Sequence, residues 1–249
     1  MSNADISKEL FGSEKSASLF KKASLISVSL VALLFVIHGY SSFMGTDLTH
    51  WGIYPREIYG IRGIFTGPFV HGNWHHLFSN AAPLLFTMTL IYFFYPKVAL
   101  PSLLFIYLLT GFTVWLFGRS SYHVGASGVV YGLVSFIFWS GIFRRNIKSI
   151  ILALVVTIMY SGYLGGIVPF KEGVSWESHL LGGIMGIIVA FLFKGIIEQD
   201  EESHDPWADE QDEEAQAYFH PDTFAMTRHE RWLIEQERIR RERDEYGLD

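Results

Sequence analysis

Ser127 stands in the stretch Gly125-Ala126-Ser127-Gly128, at the mouth of an apolar run that continues to Phe143. A serine hydroxyl becomes a nucleophile when a base accepts its proton, and an imidazole is the usual base. Glycines at 125 and 128 remove side chains that would block approach to Ser127. A helix starting here adds free backbone N–H groups and a positive dipole end, both able to stabilise an oxyanion. The pattern is not the Gly-x-Ser-x-Gly elbow of soluble hydrolases, because Val129 stands where that motif needs glycine. Taken alone, the small residues of this stretch read more simply as helix packing.

Two further polar clusters change that reading. His179 lies almost one helical turn before Gly182, on the same side of its helix, and Gly182-xxx-Gly186 forms a small-residue face. Gly128-xxx-Gly132 forms another such face directly after Ser127. If the two faces pack, His179 reaches the Ser127 hydroxyl. No Asp or Glu stands where a third triad member is expected, so the prediction is a Ser127–His179 dyad. His76 and Asn80 are four apart and share a helical face. Their imidazole and amide N–H groups suit a developing negative charge. Competing readings are a metal site built from His71, His75, His76 and His123, and a transporter with polar residues lining a path. The first lacks the His-Glu-x-x-His arrangement and nearby carboxylates. The second usually places its site near the bilayer midplane rather than at one surface.

The elements that position these clusters are apolar runs. Six runs of about 18 or more residues fit membrane-spanning helices, at 23–43, 77–95, 98–117, 125–143, 149–170 and 178–197. The last contains Lys194, whose amine can extend to the interface. The polar amino terminus shows no small-residue cleavage site after its apolar run, so the first run is expected to be retained rather than removed as a signal peptide. With the amino terminus inside, Lys8, Lys15, Lys21, Lys22, Lys97, Arg144, Arg145, Lys148 and Lys194 face the cytoplasm. Arg56, Arg62, Arg119 and Lys171 face outward, which favours both termini inside. The second, fourth and sixth spans then all begin at the outer surface. His76 and Asn80, Gly125 to Gly128, and Ser178-His179 share one shallow depth.

Composition agrees with a membrane body. Half of the 249 residues are hydrophobic and 16% are aromatic. From 198 to 249 there are 18 acids against 6 bases, while the preceding residues hold 7 acids and 13 bases. A mildly basic body therefore carries an acidic tail. Absence of cysteine excludes disulfides, iron–sulfur clusters and cysteine nucleophiles. The outer loop at 45–70 interleaves Trp51, Tyr54, Tyr59, Phe65 and Phe69 with Arg56 and Arg62, which suits the headgroup region. The tail is expected to be disordered over 198–216. It then forms a charged helix at about 228–246 behind a capping box at Thr227 and Glu230. That tail is either a solvated extension or a helix for a partner the sequence does not name. The expected fold class is thus all-α. It comprises a cytoplasmic segment at 1–22, a polytopic six-helix body at 23–197 and a charged extramembrane tail at 198–249.

These motifs together resemble those of the rhomboid intramembrane serine proteases. The resemblance rests on His71-xxxx-His76-xxx-Asn80, on Gly125-Ala126-Ser127-Gly128 followed by Tyr131, and on His179-xx-Gly182-xxx-Gly186. It covers roughly 23–197 and leaves out the tail. By resemblance, Ser127 is the nucleophile and His179 the base, and His76, Asn80 and the Ser127 N–H bind the oxyanion. Tyr131 stacks on His179, and His71 anchors the outer loop. The implied substrate is a single-pass membrane protein that enters between helices two and five and is cut near the outer surface. Neither cofactor nor metal is implied, nor any nucleic-acid partner. The expected setting is the lipid bilayer of a bacterial plasma membrane. Two departures stand out. The Trp-Arg pair common in the family's first outer loop is replaced by Arg62-Gly63, and Ser178 precedes the histidine where alanine is common. A protein that binds membrane clients without cutting them is the alternative.

Overall fold

The structure, a computed structural model, describes residues 14–145, 147–168, 175–196, 198 and 226–246. The polar amino terminus up to residue 13, the end of the fifth apolar run at 169–170 and the acidic run at 199–225 lie outside the described residues. Six apolar helices form the body. They are α1 (Glu14–Met44), α2 (Trp74–Phe94), α3 (Ala99–Phe117), α4 (Ser127–Arg144), α5 (Ile147–Tyr160) and α6 (Trp176–Phe193). Five of them are long and apolar enough to cross a membrane, and α5 is a shorter apolar helix. The fifth run was expected to cross as one helix. Instead, α5 ends at Tyr160 and the chain tightens into a 3-10 helix, Ser161–Ile167, rich in glycine.

α4 is the hub, packing against α2, α3, α5 and α6, while α1 lies along α2 and α6 also packs on α3. Small residues explain the closest approach. A Cβ on Gly182 would run into the Gly128 carbonyl oxygen, and one on Gly186 into the Gly132 carbonyl oxygen. Without a hydrophobic force between helices in lipid, such close van der Waals contact is a main source of association. The Ser135 hydroxyl adds a bond across the same seam, donating to the Gly183 carbonyl at 2.7 Å. Val36, Leu104, Leu154, Ile158 and Phe191 stay exposed on the outside of the bundle, an apolar surface that a bilayer covers.

The loop between α1 and α2 is a folded object. Among the described residues its one β-bridge pairs Ile53 with His123, just ahead of α4. Arg56 has a left-handed backbone (φ 64°), uncommon for a side chain other than Gly. Its N–H donates to the Trp115 carbonyl at 2.9 Å. Its guanidinium donates to the Gly118 carbonyl at 2.7 Å and to the Ser120 hydroxyl at 3.1 Å. Arg62 has no tryptophan beside it in sequence but finds one in space, its guanidinium 4.6 Å from the Trp51 ring centre. Deeper in, Gly125 N–H donates to the Gly67 carbonyl at 2.9 Å. The loop is thereby bonded to the chain two residues before Ser127.

A further helix, α7 (Arg228–Tyr246), belongs to a separate unit. Thr227 N–H donates to the Glu230 carboxylate at 2.7 Å, and Glu230 N–H donates to the Thr227 hydroxyl at 3.3 Å. This reciprocal pair satisfies donors that a helix start leaves free.

Candidate active site

Ser127 is the first residue of α4, so its N–H falls in the turn that has no intrahelical acceptor. Gly125 precedes it with φ +100°, a conformation glycine tolerates and side chains rarely adopt. The close seam between α4 and α6 carries His179 to Ser127. His179 Nε2 lies 2.9 Å from Ser127 Oγ. Its other ring nitrogen, Nδ1, lies 2.8 Å from the Gly166 carbonyl. A carbonyl only accepts, so Nδ1 carries the hydrogen and Nε2 presents its lone pair to the serine hydroxyl. The Tyr131 ring stacks on the imidazole with centres 4.2 Å apart and planes 9° apart. Ring, tautomer and direction are thus all held.

His76 and Asn80 face the same place from α2. A Cβ added to Gly125 would lie 2.6 Å from His76 Nε2 and 3.5 Å from Asn80 Nδ2. Asn73 caps α2, its side chain accepting from His76 N–H at 2.8 Å. The Asn80 amide donates to the His76 carbonyl at 2.9 Å, which fixes its orientation and leaves its second N–H for a ligand. A cavity of about 20 Å³, lined in part by Thr110, His123, Gly125, Gly128 and Ser178, lies beside the Gly125–Gly128 stretch. It is large enough for one water.

His71 is buried beneath the site, its ring 5.1 Å from that of His76. Burial, then the neighbouring His76, lowers its pKa to about 4, partly offset by the Phe69 backbone. Among the described residues no group of three or more His, Asp or Glu is arranged to hold a metal. His75 instead starts a turn of α2 in which its carbonyl accepts from Ser79 at 2.8 Å.

Several residues of the site escaped sequence reasoning. Gly166 acts through its carbonyl, which every residue type has, so no side-chain pattern could mark it. Glycine is required there because a Cβ would meet the Tyr131 hydroxyl and lie 3.1 Å from His179 Nδ1. His123, weighed in sequence only as a metal ligand, is buried between Ser175 Oγ at 2.5 Å and the Arg119 carbonyl at 3.0 Å. Burial is the main cause that holds its pKa below the usual imidazole value. Ser175 in turn lies 2.6 Å from Ser178 Oγ, beside His179. Ser178, a departure from the common alanine, is therefore part of a hydrogen-bonded chain.

A six-helix membrane bundle with a serine and a histidine joined at the mouth of two glycine-packed helices defines a class. Residues 57–195 match the Rhomboid domain, and the chain belongs to the rhomboid family. It is accordingly an integral, multi-pass membrane protein. A protein of Mycobacterium tuberculosis (strain ATCC 25618 / H37Rv), described only as uncharacterized, is 35% identical over 179 residues, covering 66% of this chain and 72% of the relative. An uncharacterized protein of Mycobacterium bovis matches equally. One from Mycobacterium leprae is 31% identical over 174 residues, 66% of this chain and 69% of the relative.

Proposed function

We propose that this protein is an intramembrane serine endopeptidase that cuts single-pass membrane proteins in or near their transmembrane segment. The observation that carries the reading is the 2.9 Å approach of His179 Nε2 to Ser127 Oγ, with Nδ1 bonded to Gly166. That is the pairing an activated serine requires.

In the first half-reaction Ser127 Oγ bonds to the scissile carbonyl carbon while its proton passes to His179 Nε2. The carbonyl oxygen takes the negative charge beside His76, Asn80 and the Ser127 N–H. Collapse of this intermediate breaks the C–N bond, and the amine leaves with the proton from Nε2. In the second half-reaction water attacks the acyl ester and gives its proton to Nε2. Expulsion of Ser127 Oγ, which recovers that proton, leaves a carboxylic acid product. Donors aimed at the oxyanion are typically worth 10²–10³ in rate each.

The basic residues gathered at the inner ends of the helices support a topology with both termini in the cytoplasm. The site then opens toward the outer surface of, on this reading, a bacterial plasma membrane. The purified protein in liposomes, given a model single-pass substrate, is expected to cleave it, with or without a chelator. Ser127→Ala and His179→Ala each abolish cleavage, and a fluorophosphonate probe labels Ser127. Full cleavage by the Ser127→Ala protein would overturn the proposal.

A further inference from the structure

α6 opens with a buried carboxylate. Glu177 is only 7% exposed, although its residue type is rarely buried without a partner. One oxygen, Oε1, lies 3.5 Å from Arg119 Nε, whose side chain is half exposed. The other, Oε2, is buried with no hydrogen-bond partner among the described residues. Burying a carboxylate with an unmet oxygen costs free energy, and a bland structural pair would be expected to satisfy both oxygens. The charge is within electrostatic reach of two rings, His123 and His179. Glu177 does not occupy the third place of a triad, because Nδ1 of His179 already donates to Gly166.

We infer that Glu177 is a positioning residue for His179. It ties the start of α6 to the segment before Ser127 through Arg119, and its negative charge favours the imidazolium that forms on His179. The inference rests on the dyad reading of Ser127 and His179. Charge accumulates on the imidazole in each half-reaction, and a fixed carboxylate in a poorly screened site stabilises it. A parallel tie runs from Arg119 through His123 and Ser175 to Ser178. Arg119 therefore anchors both connections across the gap between the two catalytic helices. Among the described residues, Arg119 pairs with Glu177, Glu177 and Arg119 act on His123, and His76 and Glu177 act on His179.

The test is the pH profile of kcat/KM for cleavage of a model membrane substrate. Glu177→Gln keeps the shape and removes the charge. It is expected to lower kcat about 3- to 10-fold and to move the acid limb down by about half a pH unit. Glu177→Asp restores the wild-type limb. Arg119→Gln, on a half-exposed side chain, leaves the carboxylate less compensated and moves the limb up. If Glu177→Gln does not fold, the opposite shift in Arg119→Gln carries the test alone. Acid limbs that superimpose on the wild type in the folded variants overturn the inference. A wild-type chain that fails to cleave defeats the dyad reading instead, so the two failures are distinguishable.

Discussion

Gly182 of α6 packs directly onto the backbone carbonyl of Gly128 in α4, with no room between them for a methyl group. The same seam holds His179 Nε2 at 2.9 Å from Ser127 Oγ, so helix spacing sets the separation of the two side chains. Gly182→Ala must push the helices apart. It is expected to lower cleavage at least tenfold and to lower thermal stability, because overpacking costs typically 1–3 kcal/mol. Gly183→Ala is the control, since a Cβ there meets nothing within 4 Å. Thermal unfolding and cleavage rates measured together check the pair; equal activity in both variants would count against this account.

Gly166→Ala drives a methyl into the Tyr131 hydroxyl and crowds His179 Nδ1. The expected result is slower labelling of Ser127 by a fluorophosphonate, with the protein still folded. Rates of labelling compared with those of Gly162→Ala, where a Cβ meets nothing within 4 Å, isolate the effect.

Asn80 is expected to act on the transition state rather than on substrate binding. Asn80→Ala should lower kcat by about 10²–10³ and leave KM nearly unchanged. Steady-state kinetics in liposomes separate the two; a rise in KM alone would assign Asn80 to binding.

His71 supplies a pH dependence of stability. Its folded pKa is lowered from 6.5 to about 4, so protonation favours the unfolded chain. The contribution is fully present above about pH 6.5 and is lost as pH falls toward 4, by about 3 kcal/mol in all. His71→Phe removes that titration. Melting temperatures at pH 7 and pH 4.5 should therefore differ less in the variant than in the wild type. An unchanged difference would place the acid sensitivity elsewhere, as at His123.

Much of the fold was legible because lipid imposes a simple rule. A span must be long, apolar and helical to satisfy its backbone, and the six runs obeyed this closely enough to be read. The fifth was read too long, since the α-helix ends at Tyr160 and the glycine-rich Ser161–Ile167 continues as a 3-10 helix. Thr227 and Glu230 marked the start of α7 by a local hydrogen-bond pattern. Arg62 offered no such signal for its contact with Trp51, because the contact depends on the path of the intervening chain.

By itself, the sequence marked the residues whose types could carry chemistry and the helix faces that can approach. Serine, histidine and the glycine spacing are local properties of the chain. Only the tertiary structure decided that Gly166 presents its carbonyl to His179, and that Glu177 lies buried at the start of α6 with Arg119 across the gap. These contacts join segments distant in sequence through backbone atoms and solvent exclusion. Neither is encoded by residue type at any one position, so both had to await the folded chain.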